Sequence, residues 1–253
     1  MFKLLNANFS RLFKNKLFWV CVIAVFVLSV LSILTDIPSI ETQFEEFGER
    51  YTLEQAQLGM SSILGGVFAL LCSMFFGTEY TDGMVRNKFL AGNTRLSIYF
   101  GNFLTACAAD IIITVFFMLA GFVGVKWFGW WSLSPSELLG YAAVLIMNTV
   151  CYTAVYTMLF MLIDNRAVCV VVSNLVYVAM AVAASIIFQC FEVLPNSLQS
   201  ISTAVMLILP PGQIILIASL LVDSALKFCA YSLAVSAVLV FAGFKLFRKK
   251  DIN

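Results

Sequence analysis

The chain has 253 residues, of which 62% are hydrophobic and only 11% are charged, and its mean hydropathy is +0.98. A soluble domain carries about 25% charged residues, so this composition excludes an ordinary soluble protein and predicts that most of the chain lies in lipid. The net charge of +1 gives no indication of nucleic-acid binding. The sequence lacks histidine, which excludes HExxH metalloproteases and Ser-His-Asp hydrolases. It also lacks a Gly-Lys-Ser/Thr sequence, which excludes a phosphate-binding P-loop within it.

Residues 1–16 predict an amphipathic helix that lies along the inner face of the membrane. Their large apolar side chains recur at helical spacing, at Phe2, Leu5, Phe9, Leu12 and Phe13. The cations fall largely elsewhere on the helical wheel, where they can approach anionic lipid headgroups. The alternative interpretation is a plain basic tail before the first span.

Six segments are apolar and long enough to cross a bilayer, which takes about 20 residues in a helix. They are residues 17–35, 58–77, 98–125, 138–163, 167–191 and 226–247. We therefore expect an all-α integral membrane protein that forms a single transmembrane domain over residues 1–253.

The lysines and arginines predict the orientation of these spans. With a cytoplasmic N-terminus, six spans leave twelve of the fifteen basic residues in inner segments and only Arg50, Lys126 and Lys227 in outer ones. The first outer segment is instead acidic, from Asp36 to Glu54. Because short loops rich in Lys and Arg stay in the cytoplasm, we expect both termini to be cytoplasmic.

The inner segment between the second and third spans, residues 77–97, predicts a short helix of its own. Thr81 or Asp82 can cap the start of a helix over residues 84–90. Gly92 followed by Asn93 is a typical signal for its end. A loop that only reverses the chain needs a few residues, so this segment is expected to contain a structured element.

The last outer segment contains a second apolar stretch, residues 204–222, interrupted by Pro210, Pro211 and Gly212. Proline breaks helices, so two short helical arms are expected here. Irregular backbone at membrane depth is tolerated where protein covers it or where it lines a cavity. A re-entrant hairpin before the sixth span is the favoured prediction, and a kinked seventh span is the alternative.

This organisation resembles the ABC-2 permease family. The local likeness lies in Phe76-Gly77-Thr78-Glu79-Tyr80 with the downstream Arg86-Asn87-Lys88 and Gly92-Asn93-Thr94-Arg95. It is similar to a Gly-x-Glu-Tyr element, a basic helix and a Gly-x-x-Arg turn in these permeases. The opening segment, residues 8–16, is similar to the entry helix of small permeases of this family from Gram-positive bacteria.

The resemblance implies a permease subunit of an ATP-binding-cassette exporter in a bacterial plasma membrane, without an ATPase site or catalytic residues. Its implied partners are separate ATPase subunits, which would bind ATP and Mg, a second permease chain that is the same or paralogous, and membrane lipid. The chain itself is expected to bind no cofactor or metal. A hydrophobic or amphipathic peptide, drug or lipid fits its apolar spans, and resistance to an antimicrobial peptide such as a lantibiotic is one implied use.

The resemblance also implies that the helix after the second span couples to the ATPase. The candidate coupling residues are Glu79, Asp82, Val85, Arg86, Lys88, Phe89 and Arg95, the charged ones for docking and the two apolar ones as anchors. The competing interpretation is a solvated loop whose charges only set the topology.

Asp110 is an acid deep inside the third span, where ionisable groups are costly and usually face the bundle interior or a polar cavity. Three interpretations stay open. Asp110 lines a translocation path, it pairs with Asn148 or Asn174 across the bundle, or the span starts later and Asp110 lies near the inner surface. The candidate residues of a translocation path are Asp110, Asn148 and Asn174.

Two functions other than an exporter permease are compatible with the sequence. One is a non-transporting accessory or sensor subunit that assembles with other chains. The other is an ATP-independent channel or secondary carrier, although carriers often show paired broken helices near the midplane and only one broken element is present here.

Overall fold

The computed structural model describes residues 2–47, 58–127, 134–190, 195–218 and 225–250, and within these ranges it contains helices and no strands. The helices are α1 (Phe2–Lys14), α2 (Lys16–Phe47), α3 (Ser62–Thr81), α4 (Met84–Leu90), α5 (Arg95–Trp127), α6 (Pro135–Leu162), α7 (Arg166–Cys190), α8 (Asn196–Ile208), α9 (Pro210–Ala218) and α10 (Ala225–Lys249).

Six of these helices are long and apolar enough to cross a membrane, and α8 with α9 would form a seventh span only as one bent unit. The six stretches are Lys16–Thr35, Leu58–Thr81, Arg95–Gly121, Ser136–Leu162, Arg166–Cys190 and Ala225–Lys249. The prediction of an all-helical membrane protein with six candidate spans is confirmed. The acidic segment predicted to be external lies partly in residues 48–57, outside the described residues.

The centre of the bundle is built from α3, α5 and α6, which carry large buried aromatic side chains. Phe76 of α3 stacks on Phe160 of α6 with ring centroids 4.4 Å apart. The tyrosine Tyr156 donates a hydrogen bond of 2.8 Å to the Gly65 carbonyl of α3. Small residues let α10 pack closely along α6, since Ser232, Ser236 and Gly243 of α10 are all buried.

Both ends of the described chain meet at one end of the bundle, which we call the basic end. Arg11 of α1 pairs with Glu79 at the end of α3. Lys250, which follows α10, pairs with Asp164 in the turn between α6 and α7. The first residues of α6 and α10 therefore lie at the opposite end, where Gly140 approaches Ala225.

The segment between α3 and α5 contains the predicted short helix, with one correction at its start. Helix α4 covers Met84–Leu90, and its N-cap is Gly83 with φ of 64°, without a side-chain cap. Thr81 and Asp82 belong to the end of α3, so the prediction of either as the N-cap is wrong. The predicted stop is confirmed, because Gly92 adopts φ of 80° and its amide donates to the Phe89 carbonyl at 2.8 Å.

The bent pair α8–α9 corresponds to the predicted broken element, with different boundaries. The two helices meet at Leu209 and differ in direction by 111°. The first arm begins at Asn196 rather than at residue 204, and Pro210 and Pro211 begin the second arm instead of interrupting a helix. Proline is tolerated there because the first helical turn has no intrahelical partner for its amides. Residues 219–222 of the prediction lie outside the described residues.

Candidate functional site

The basic end contains a buried carboxylate, Glu79, whose side chain is 1% exposed. Its Oε1 accepts one hydrogen bond from Arg11 Nη2 and one from Lys88 Nζ, each of 2.7 Å. Its Oε2 accepts a third from Asn102 Nδ2, also of 2.7 Å. Four helices, α1, α3, α4 and α5, therefore meet at a single side chain.

A further set of contacts surrounds this carboxylate. The Oδ1 atom of Asn102 accepts from Lys88 Nζ and from Asn8 Nδ2, each at 3.0 Å. Arg11 also lies over the Phe75 ring, 4.4 Å from its centroid. Taking a carboxylate out of water is costly, and this cost is offset only when charged and polar partners satisfy both oxygens. Here both oxygens of Glu79 are satisfied.

Lys88 depends on the same carboxylate. Burial lowers the pKa of Lys88 below its ordinary value of 10.5, and the neighbouring Glu79 opposes this shift through its charge and its hydrogen bond. Without Glu79, the ammonium would therefore lose the group that favours its charged form.

The predicted coupling residues divide into an inner and an outer set. Val85 is 1% exposed and packs inward, whereas Phe89 is only partly buried against the same core. Asp82 and Arg86 are exposed. Leu90, one turn after Arg86, is 78% exposed and is the apolar residue on the outer face of α4.

Arg95, predicted as a docking charge, is bonded within the chain. Its Nη1 donates to the carbonyl oxygens of Phe247, Arg248 and Lys250, at 3.1, 2.8 and 2.6 Å. Arg95 therefore binds the end of α10, and its guanidinium lies 5.8 Å from the Phe89 ring of α4.

Asp110 is fully buried in the middle of the bundle. Its Oδ2 accepts from Thr153 Oγ1 at 2.8 Å and from the Cys72 thiol at 3.5 Å, whereas its Oδ1 has no hydrogen-bond partner among the described residues. Helix α5 begins at Arg95, fifteen residues earlier, so the interpretation that places Asp110 near the inner surface is wrong.

The two asparagines predicted as partners of Asp110 bond elsewhere. Asn148 Nδ2 donates to the Pro210 carbonyl at 2.8 Å and to Gln213 Oε1 at 3.1 Å, so it holds the start of α9. Asn174 donates to the Val170 carbonyl within its own helix. The predicted pairing of Asp110 with either asparagine is wrong, and the three residues do not form one cluster.

The sequence comparison addresses the part of the chain that builds this site. A family model described as ABC-2 family transporter protein matches residues 4–180. This chain belongs to that family. No curated protein matches the chain.

As an ABC-2 family member, the chain is a membrane subunit of a class that works with ATPase partners and lacks an ATPase site of its own. The matched residues include every side chain bonded to Glu79, from Arg11 to Asn102, and also Asn8, which bonds to Asn102. The bent pair α8–α9 and helix α10 lie beyond the match.

Sequence reasoning missed several residues of this ABC-2 site. The sequence predicts Arg11 as a charge that sets topology and approaches lipid headgroups, and it assigns no site role to Asn8 or Asn102. The available signal was that Asn8 and Arg11 are three residues apart and so share one face of α1. Their partners on α3 and α5 are distant in sequence, which is why the residues alone did not identify the cluster.

Proposed function

We propose that this chain is the permease subunit of a bacterial ABC exporter that moves a hydrophobic or amphipathic cargo. A separate ATPase subunit binds ATP and Mg and docks on α4, and a second permease chain, identical or paralogous, completes the transporter. The observation that carries this proposal is the arrangement of α4, whose inner face is bonded to Glu79 while its outer face exposes Leu90.

The outer face of α4 has the composition of a small docking surface. Arg86, Asn87 and Leu90 are exposed, so a charged group and a leucine project from the same side of one short helix. Interfaces obtain most of their affinity from a few well-packed anchor residues, and charges at the rim mainly affect association. Val85 and Lys88 hold the other face to the bundle. A force applied at Leu90 would therefore reach α1, α3 and α5 through Glu79.

We expect Leu90→Ala to weaken ATPase docking by about tenfold, because truncation removes the central apolar contact of the proposed interface. The measurement is the affinity of an ABC ATPase from the same genome, selected by co-purification with the wild-type chain. Leu226→Ala is the matched control. Leu226 is 82% exposed and lies at the start of α10, at the opposite end of the bundle.

The outcomes separate the three functions. Equal losses with the two variants, or none, would exclude docking at α4. An ATPase that binds but hydrolyses ATP independently of any vesicle-reconstituted cargo would favour the accessory or sensor subunit. Transport of a hydrophobic dye without any co-purifying ATPase would favour the channel or carrier.

The proposal also includes an orientation, with the basic end in the cytoplasm and α1 along the inner leaflet. Arg11, Lys88, Arg95 and Lys250 belong to this end through their contacts, and clusters of Lys and Arg stay inside. The exposed Lys3 and Lys14 of α1 can reach anionic headgroups.

Orientation is tested by labelling intact cells with a membrane-impermeant maleimide. We expect Ser136→Cys, at the opposite end of the bundle, to react from outside and Arg86→Cys to react only after the cells are opened. Both positions are exposed, and the background carries Cys190→Ser and Cys229→Ser because these native cysteines are not buried. Reaction of Arg86→Cys in intact cells would reverse the topology and exclude cytoplasmic docking.

We further propose that α8 and α9 form a re-entrant hairpin from the outer side. Leu216 and Ile217 near the end of α9 pack with Leu58 and Phe228, and Ala225 and Tyr141 adjoin this cluster. These neighbours belong to the end of the bundle opposite Lys250, which supports a return of the chain to the side from which α8 entered. Asp110, the hairpin-binding Asn148 and Asn174 are the candidate polar positions along a cargo path.

A further inference from the structure

Lys250 follows the last residue of α10, and its side chain is bonded to the C-terminal end of α6. Its Nζ donates to the Leu162 carbonyl at 2.9 Å and to the Met161 carbonyl at 3.3 Å, and it pairs with Asp164 at 2.5 Å. The same ammonium lies 4.2 Å from the centroid of the Tyr80 ring of α3.

These acceptors are the last carbonyls of α6, which ends at Leu162. The final four carbonyls of a helix lack intrahelical partners and carry the negative end of the helix dipole. A cation placed there satisfies both requirements. The Tyr80 hydroxyl adds a hydrogen bond of 2.6 Å to the Met161 carbonyl, so groups from α3 and α10 together close the end of α6.

Arg95 closes the end of α10 in the same way, through the carbonyls of Phe247, Arg248 and Lys250. At the basic end, two helices are therefore each capped at the C-terminus by a side chain from another part of the chain. The first residue of α5, which follows α4, holds α10, and the residue after α10 holds α6. At the other side, both α10 and α6 contact α9, because Ser232 donates to Gln213 at 2.7 Å and Asn148 donates to Gln213 at 3.1 Å.

We propose that Lys250 is a positioning residue for transport. It keeps α10 and α6 in fixed register, so that displacement of the α4 segment, passed on through Arg95, moves both helices together and shifts the α8–α9 pair that they hold. This inference rests on the proposed function for its transport role, but the capping itself is a property of the isolated chain.

Hydrogen exchange of the full-length chain in detergent tests the capping without an ATPase. We expect Lys250→Met to speed amide exchange at the ends of α6 and α10 and to leave exchange in α1 unchanged. Lys250→Arg should keep the wild-type protection of these amides, because a guanidinium can donate to the same carbonyls. Lys249→Met is the matched control, because Lys249 is exposed and this substitution removes the same charge from the neighbouring position. Equal exchange in the two methionine variants would overturn the inference.

The transport role is tested in the complex with the co-purifying ATPase. In the background that carries Cys190→Ser and Cys229→Ser, the rate of maleimide labelling is measured at Leu198→Cys, an exposed position on α8, before and after addition of ATP. We expect Lys250→Met to reduce the ATP-induced change by about threefold or more while ATPase affinity stays at the wild-type value. An unchanged ATP response, or no response in the wild type, would overturn the positioning role. Failure of the wild type to bind an ATPase would instead overturn the proposed function, and the exchange result would still decide the capping.

Discussion

Replacement of Glu79 by alanine is expected to lower the free energy of unfolding by about 3–5 kcal/mol, because it leaves the partly buried charges of Arg11 and Lys88 without their carboxylate. Glu79 accepts from Arg11, Lys88 and Asn102 at once. Its loss would leave two cations facing each other without a carboxylate between them. The measurement is unfolding of the full chain in mixed micelles, followed by circular dichroism.

Two further variants identify the cause of the loss. Asp82→Ala removes an exposed acid three residues later and is expected to change stability by about 0–1 kcal/mol, as for a surface charge. Lys88→Met should be milder than Glu79→Ala, because Glu79 would keep Arg11 and Asn102 and because burial already disfavours the charged form of Lys88. A Glu79→Ala protein as stable as Asp82→Ala would show that the buried cluster does not hold the basic end together.

The sequence predicted the helices of this bundle better than it predicted their faces. Long apolar runs identify the spans, and Gly92 identifies the end of α4 because its positive φ suits glycine. However, seven residues make only two turns, so the pattern of α4 alone does not distinguish the buried Val85 from the exposed Leu90. That distinction depends on how α4 packs against α3 and α5.

The candidate site shows the same limit for charged residues. The sequence identifies Glu79 as a charged residue at the end of a span. Such a residue is expected to be exposed to water or to contact a partner protein. Its burial depends on Arg11, which is 68 residues earlier, and on Asn102, which is 23 residues later. One sequence contains no local pattern that pairs residues at such separations. Likewise, the position of Asp110 within an apolar run left its depth open, and the run gave no indication of its bonds to Thr153 and Cys72.

The start of the α8–α9 pair was missed for a chemical reason. Residues 196–203 contain asparagine, glutamine, serine and threonine, and hydropathy therefore excluded them from the apolar stretch. In the structure, Ser202 and Thr203 donate to the Gln199 carbonyl, so their hydroxyls are satisfied within the helix and need no water. The apolar stretch marks only the deeper part of an arm that begins earlier.

Gly212→Ala is expected to open the α8–α9 pair and to lower the free energy of unfolding by about 1–3 kcal/mol, the usual cost of overpacking. A methyl group at residue 212 would lie 2.5 Å from the Met206 carbonyl oxygen and 2.9 Å from its Cα. Because these are backbone atoms, a side-chain rotation cannot relieve the contact. The two arms would have to separate, which would stretch the bonds of Asn148 and Ser232 to the start of α9.

The same substitution at Gly140 provides the control. The methyl group would lie 3.5 Å from the Ala225 side chain, which is ordinary contact, and alanine favours the helix relative to glycine. Gly140→Ala should therefore leave unfolding unchanged or slightly stabilise the chain. Micelle unfolding gives the stability of both variants, and hydrogen exchange in residues 205–217 reports the separation of the arms. If Gly212→Ala kept wild-type exchange in these residues, the close approach at Met206 would not hold the two arms together.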